Sequence, residues 1–371
     1  MSDPLTGARR IVVKIGSALL VDADALRRDW LKSLCADVAA LRRDGKDVIL
    51  VSSGAIALGR RALKLRDGAL KLEESQAAAA AGQVRLAEAY ADGLAVEGFV
   101  AAQILLTLSD TEERRRYLNA RATLRTLLAL GAVPVINEND SVATAEIRFG
   151  DNDRLAARVA SMMEADCLVL LSDVDGLYSA DPTRESAAHH IAEVARVTPE
   201  IEAMAGGTTS ETAVGGMVSK IAAAKIATRA GCGMFIALGS EPDIVPRLFQ
   251  GTGPGTFFVP SGLPLEAKKR WLAFAQRPTG TIRINAQAVR ALREQGHSLL
   301  AVGVTGASGD FAAGDVVNIA GPDGIVMARG TSSFSSGVAA ELAGKKSEEV
   351  RALCPGRKHL EIVHRDALAL L

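Results

Sequence analysis

Aromatic side chains make up only 4% of this 371-residue chain, and cysteines number four. Cys35, Cys167, Cys232 and Cys354 are far apart with no CxxC pair, which excludes a disulfide framework or a zinc ribbon and leaves reduced, mostly buried thiols as the expectation. Histidine is scarce as well. All five (His189, His190, His297, His359, His364) fall in the second half, and the adjacent pair lacks the i, i+4 spacing of a helical metal site. Histidine-based acid/base or metal chemistry is therefore not expected. Neither sign of charge is in excess, since 43 basic residues face 43 acidic ones, and a balanced chain has no general pull toward nucleic acid or an anionic membrane. No run of about eighteen apolar residues exists to span a bilayer, and the opening MSDPLTGARR lacks the apolar core of a signal peptide. A cytoplasmic protein with no membrane partner is expected.

What is abundant is aliphatic: the chain is 48% hydrophobic and long enough for two domains. Strand-like runs at 10–14, 47–51, 99–105, 133–136, 167–171 and 234–238 alternate with helical patterns at 24–43, 73–97, 110–130, 153–164 and 217–230. Such alternation, with strands apolar throughout rather than at every second residue, implies an α/β fold with a mostly parallel sheet sandwiched by helices. After Arg277-Pro-Thr-Gly280 the texture changes to short β-branched runs at 281–284, 300–304, 315–319 and 324–328, punctuated by glycine. This predicts a small β-rich, barrel-like domain. The expected division is 1–276, 279–357 and a C-terminal tail 358–371.

Four constellations carry chemistry. Val12-Val-Lys14-Ile-Gly16 ends the first strand with a lysine and a glycine turn, which lets backbone N–H groups and an ammonium approach a phosphate; an ordinary strand-end lysine is the plain alternative. Val51-Ser-Ser53-Gly54-Ala55 passes from strand to helix, where free N–H groups bind an anion or Ser53 serves as an N-cap. Ser172-Asp173-Val-Asp-Gly follows a buried strand and reads as a turn with nucleotide contact, since it lacks the ligand register of a calcium loop. Gly215-Gly216-Met217-Val218-Ser219-Lys220 opens a helix with glycines and a lysine, which favours a polyphosphate, while that lysine opposes the helix dipole. Between the second and third lies INENDSVATAEIRFGDND, 136–153, dense in amides and carboxylates at the carboxyl end of a strand, where α/β sheets bind ligands. Neither the Walker A spacing nor GxGxxG is present.

In this order, KIG, SSGAIALG, NENDSVAT with GDND, SDVDGLY with DP, and GGMVSK resemble the amino acid kinase superfamily, and the stretches 309–315 and 324–330 resemble a PUA domain. The resemblance covers nearly the whole chain, and NENDSVAT with GDND is its specific part. It implies ATP-dependent phosphorylation of the γ-carboxylate of L-glutamate, Mg2+ arriving with the ATP, proline as feedback inhibitor, and a homo-oligomer. It also implies that Ser53, Asp140 and Asn152 contact glutamate, and that Ser172, Asp173 and Val214, Gly215, Gly216, Met217, Val218, Ser219 and Lys220 contact ATP. Ala213-Val214 departs from the Gly-Thr common before Gly-Gly-Met, which removes one hydroxyl and one flexible residue from the outer end of that loop. The same-class alternative is a kinase of the N-acetylglutamate type. An RNA-binding PUA protein is the other, disfavoured because 279–357 holds eight Lys/Arg against seven Asp/Glu with few rings to stack.

A carboxylate nucleophile is already ionised at neutral pH and needs no general base; what opposes the reaction is repulsion between two anions. Lys14 and Lys220 are the candidates for neutralising it, with Asp153 between them favouring their charged forms. Asp140 and the amides of Asn137 or Asn152 suit the α-ammonium of the amino acid. The N–H groups of Ser53, Gly54 and Ala55 suit its α-carboxylate.

Overall fold

A computed structural model describes residues 7–22, 25–66, 68–142, 152–205, 216–241, 243–261, 278–355, 357 and 360–371. It divides into two compact units. In the first, β1 (Arg10–Ile15) leads through a four-residue helix, α1 (Ser17–Leu20), and a two-strand hairpin, β2 (Val21–Asp22) and β3 (Ala25–Leu26), into α2 (Arg28–Arg43). There follow β4 (Asp47–Ser52), α3 (Ala55–Ala62), α4 (Leu72–Val96), β5 (Ala101–Leu106), α5 (Leu108–Glu112), α6 (Arg114–Ala129) and β6 (Val133–Glu138). After α7 (Asn152–Met163) come β7 (Cys167–Ser172), β8 (Leu177–Tyr178), β9 (His190–Ile191), β10 (Glu193–Val194), α8 (Pro199–Met204), α9 (Met217–Arg229), β11 (Gly233–Leu238), α10 (Ile244–Phe249) and β12 (Thr256–Phe258).

Eight strands form one sheet in the order β10-β12-β11-β7-β1-β4-β6-β5, parallel at every pairing except β11 with β12. The apolar runs dictate this. Ile11, Val12, Val13 and Ile15 of β1, Val48 to Val51 of β4 and Cys167 to Leu171 of β7 are almost wholly buried on both faces, as parallel strands covered by helices must be. Each such side chain contributes on the order of 1.5–3 kcal/mol of burial free energy. Lys14 is the exception within β1, a buried ammonium in the central strand.

The expected helix 24–43 begins only at Arg28, because Val21 pairs with Leu26 across the short hairpin and Asp29 supplies the acidic first turn. The pattern 110–130 is two helices meeting at Glu113, inside the charged run Glu112-Glu-Arg-Arg-Arg116.

The second unit holds a five-stranded sheet, β14-β13-β15-β16-β17, antiparallel except where β13 meets β15. Its strands are β13 (Gly280–Ile284), β14 (Val304–Gly309), β15 (Val316–Ala320), β16 (Val326–Ser332) and β17 (Val363–Leu370), with helices α11 (Ala286–Gln295), α12 (Ser336–Leu342) and α13 (Ser347–Leu353). Two expectations are corrected. The run 300–304 is mostly a 3-10 turn, Ala301–Gly303, with the strand starting at Val304. The residues after 357, expected as a tail, supply β17, whose polar His364-Arg-Asp366 interrupts the apolar pattern of an edge strand that nonetheless buries Val363, Leu368 and Ala369.

Candidate active site

The carboxyl ends of β1, β4, β6 and β7 open into one cavity of about 860 Å³, whose lining includes Lys14, Ser53, Asp140, Asn152, Ser172 and Lys220. Parallel sheets place ligands at this end.

Three charged residues meet there. Lys14 Nζ lies 2.6 Å from Asp153 Oδ1, and Lys220 Nζ lies 3.5 Å from Asp153 Oδ2. All three side chains are at most 9% exposed. Asp153 is the second residue of α7, where the helix dipole favours a carboxylate. Lys220 sits in the first turn of α9, where the dipole disfavours an ammonium, and the packing of α7 beside α9 delivers Asp153 to it. One carboxylate thus bridges two lysine side chains in an enclosed place. The cluster carries one net positive charge, and it faces a cavity.

Beside it lies a network of amides. Asn137 Oδ1 accepts from the Glu138 N–H (2.8 Å) and from Asn152 Nδ2 (3.0 Å), while Asn137 Nδ2 donates to Gln83 Oε1 (2.8 Å). Asn152 Nδ2 also donates to Ser53 Oγ (2.8 Å) and the Ser52 carbonyl (3.3 Å). A backbone N–H can only donate and a carbonyl can only accept, so both amide orientations follow from these partners. Among the described residues, Asn152 Oδ1 is buried without a partner, and so is Asp140 Oδ1. Burial raises the Asp140 carboxyl from 3.8 to about 6. Two buried, unsatisfied acceptors in one cavity call for a donor from a ligand.

The structure separates the residues singled out in the sequence. Lys14, Gly16, Ser53, Gly54, Asn137, Asp140, Asn152, Ser172, Asp173 and Lys220 line the cavity, with Asp153 behind the two lysines. Gly216, Met217, Val218 and Ser219 open α9 but are not among its lining residues; Val214 and Gly215 lie outside the described residues, as does Ala213. The roles of several change. Gly16 N–H is committed to the Leu171 carbonyl (3.2 Å) and Ser53 N–H to the Ile15 carbonyl (3.1 Å), so neither donates to an anion. Ser53 is not an N-cap either. Gly54 holds that position at φ 105°, a left-handed conformation that glycine adopts without strain, and this turns the Ser53 hydroxyl toward Asn152. Asn137 has both amide ends engaged, which makes it a positioning residue.

Sequence reasoning missed the supports on α4. Gln83 orients Asn137, and the buried Tyr90 hydroxyl donates to Ser52 Oγ at 3.0 Å. It also missed why Gly59 ends SSGAIALG. A Cβ there would lie 1.7 Å from the Ala78 carbonyl oxygen, and one at Gly82 would lie 1.8 Å from that of Ala55. Helices α3 and α4 therefore touch backbone to backbone. The third omission was a cationic group at the end of α3, where Arg60 and Arg61 of its last turn and Lys64 just beyond it also line the cavity.

A sequence model of the amino acid kinase family matches residues 9–237, and one of the PUA domain matches 280–354. Glutamate 5-kinase 1 of Rhizobium meliloti (strain 1021) is 55% identical over 367 residues, covering 99% of this chain and 93% of that protein. Glutamate 5-kinases of Rhizobium etli (strain CIAT 652) and Agrobacterium fabrum are 54% and 53% identical over 368 residues, again covering 99% of this chain and 94% of each of those proteins. The chain belongs to the amino acid kinase family, among its glutamate 5-kinases.

Proposed function

We propose that this chain transfers the γ-phosphoryl group of ATP to the γ-carboxylate of L-glutamate, giving L-glutamyl 5-phosphate, the first step toward proline. The observation that carries the chemistry is the pair of lysine side chains that share Asp153 and line the cavity. In-line transfer brings a carboxylate against a polyphosphate, and Lys14 and Lys220 lower the repulsion where charge accumulates on the transferring group. Oδ1 of Asp140 and Oδ1 of Asn152, neither with a partner among the described residues, accept from the α-ammonium of glutamate. Its approach favours the ionised form of Asp140 against burial. The nucleotide lies on the side of Ser172, Asp173 and α9, so that β1, with Lys14, stands between the two substrates.

Among the described residues no group of three or more His, Cys, Asp or Glu side chains is arranged to hold a metal ion. Mg2+ carried by ATP keeps phosphates and water as its main ligands, with Asp173 as the carboxylate on the nucleotide side of the described cavity lining. When bound, it neutralises phosphate charge. Inhibition by proline and self-association are further expectations of the family; an unchanged rate at high proline and a monomeric mass by light scattering contradict them. Among the described residues no helix is long and apolar enough to cross a membrane.

The reaction is tested by incubating the protein with ATP, hydroxylamine and either glutamate or N-acetylglutamate. Hydroxamate forms from glutamate alone, because an acetylated nitrogen is no ammonium for Asp140; preference for the acetylated acceptor overturns the assignment.

A further inference from the structure

Glutamate presents two carboxylates, and the site as described provides cations for only one. The γ-carboxylate meets Lys14 and Lys220. The α-carboxylate was expected at the N–H groups of Ser53, Gly54 and Ala55, but Ser53 N–H belongs to the Ile15 carbonyl. What remains is the first turn of α3, whose leading N–H groups lack intrahelical acceptors.

The same helix supplies a cation. Ala57 and Arg61 of α3 line the cavity, four residues apart on one helix face, and Lys64, just past the end of the helix at φ 53°, lines it as well. Arg60, although it lines the cavity too, is engaged: its guanidinium donates to the carbonyls of Arg66 and Gly68 and holds the loop after α3. The side chains of Arg61 and Lys64 have no hydrogen bond or ion pair among the described residues. Arg61 is about 10 Å along the axis from Gly54, and helical side chains lean toward the N-terminus, which brings the guanidinium back toward Ser53. Sheet order decides which anion it meets. Helix α3 follows β4, on the opposite side of β1 from β7 and the nucleotide-side residues Ser172 and Asp173.

We propose that Arg61, flanked by Lys64, binds the α-carboxylate of the acceptor amino acid and is a determinant of acceptor specificity. The inference rests on the proposed reaction and adds a residue to it. An arginine fork matches a carboxylate with two parallel hydrogen bonds, which a lysine cannot reproduce.

The test is steady-state hydroxamate formation by wild type, Arg61→Ala, Arg61→Lys and Lys64→Ala, with 4-aminobutyrate as a competitive probe. That probe keeps the amine and the reacting carboxylate and lacks only the α-carboxylate. Arg61→Ala should raise the KM for glutamate tenfold or more, with kcat and the KM for ATP within twofold of wild type. Arg61→Lys should recover part of the loss, and Lys64→Ala should raise the KM about threefold. The inhibition constant of 4-aminobutyrate should be the same in wild type and Arg61→Ala. Because Arg61 is exposed, the variants should melt with the wild type. An unchanged glutamate KM, a raised KM for ATP, or an equal weakening of 4-aminobutyrate each overturns the contact. A wild type inert toward glutamate overturns the reaction itself, a distinct result.

Discussion

Asp140→Asn should make the protein more stable and a worse kinase. Asp140 is 7% exposed and one of its carboxylate oxygens has no partner among the described residues, and burial lifts the carboxyl from 3.8 to about 6. At about 1.4 kcal/mol for each pH unit, holding it ionised at neutral pH costs the folded protein about 3 kcal/mol. The unfolded chain releases its proton near pH 4 and the folded one near pH 6. Between those values the folded state binds more protons at this site, so the contribution of Asp140 to wild-type stability falls as pH rises through this window and is level above it. The Asn variant has no such titration. Thermal unfolding of both proteins from pH 4 to pH 8 isolates this residue, because every other titrating group is common to the pair. Above pH 6 the variant should melt higher by roughly 5–10 °C; near pH 4 the two should converge. In the assay the variant loses a charge-assisted bond to the ammonium, and the KM for glutamate should rise roughly a hundredfold. The wild-type KM for glutamate should itself rise below about pH 6, as the carboxyl takes up its proton. A variant no more stable than wild type at pH 8, with unchanged glutamate KM, refutes the reading of Asp140 as a destabilising acceptor kept for its ligand.

Two further outcomes follow from packing and charge. Asp153→Asn leaves Lys14 and Lys220 buried without a counter-charge and should destabilise by about 3–5 kcal/mol while abolishing turnover; calorimetry showing an unaltered melt contradicts the shared-carboxylate geometry. Gly59→Ala must push α3 away from α4, since its Cβ would meet the Ala78 carbonyl oxygen at 1.7 Å. That variant should lose several kcal/mol and bind glutamate poorly in calorimetric titration, and a wild-type melt excludes the close approach.

How far the sequence carried depends on the range of the interaction. Strands β1, β4 and β7 were legible because burial on both faces writes itself as unbroken apolar runs. The cluster 136–153 was legible because so many acceptors at a strand's end cannot all be turn formers, and two of its oxygens are buried without partners. Lys14 by itself could be an ordinary strand-end lysine; its pairing with Asp153, expected from the motifs taken together, is a contact of 2.6 Å. Pairings such as Gln83 with Asn137 or Tyr90 with Ser52 cross 54 and 38 residues and leave no local pattern. Backbone donors were misread for the same reason: whether the Ser53 N–H is available depends on Ile15, which sequence spacing does not place beside it. Strand β17 was hidden by His364-Arg-Asp366, whose polarity is tolerated because it borders a sheet at the edge.

The chemistry stands or falls on Lys14 and Lys220 acting together on the transferring phosphoryl group. Initial rates of Lys14→Ala and Lys220→Ala at saturating glutamate and ATP address that directly. Each substitution removes one preorganised cation, and kcat should fall by roughly 10²–10³ or more while the KM for glutamate stays within about threefold. Turnover close to wild type in either variant means that the ammonium pair around Asp153 is structural and that phosphoryl transfer is stabilised by other groups.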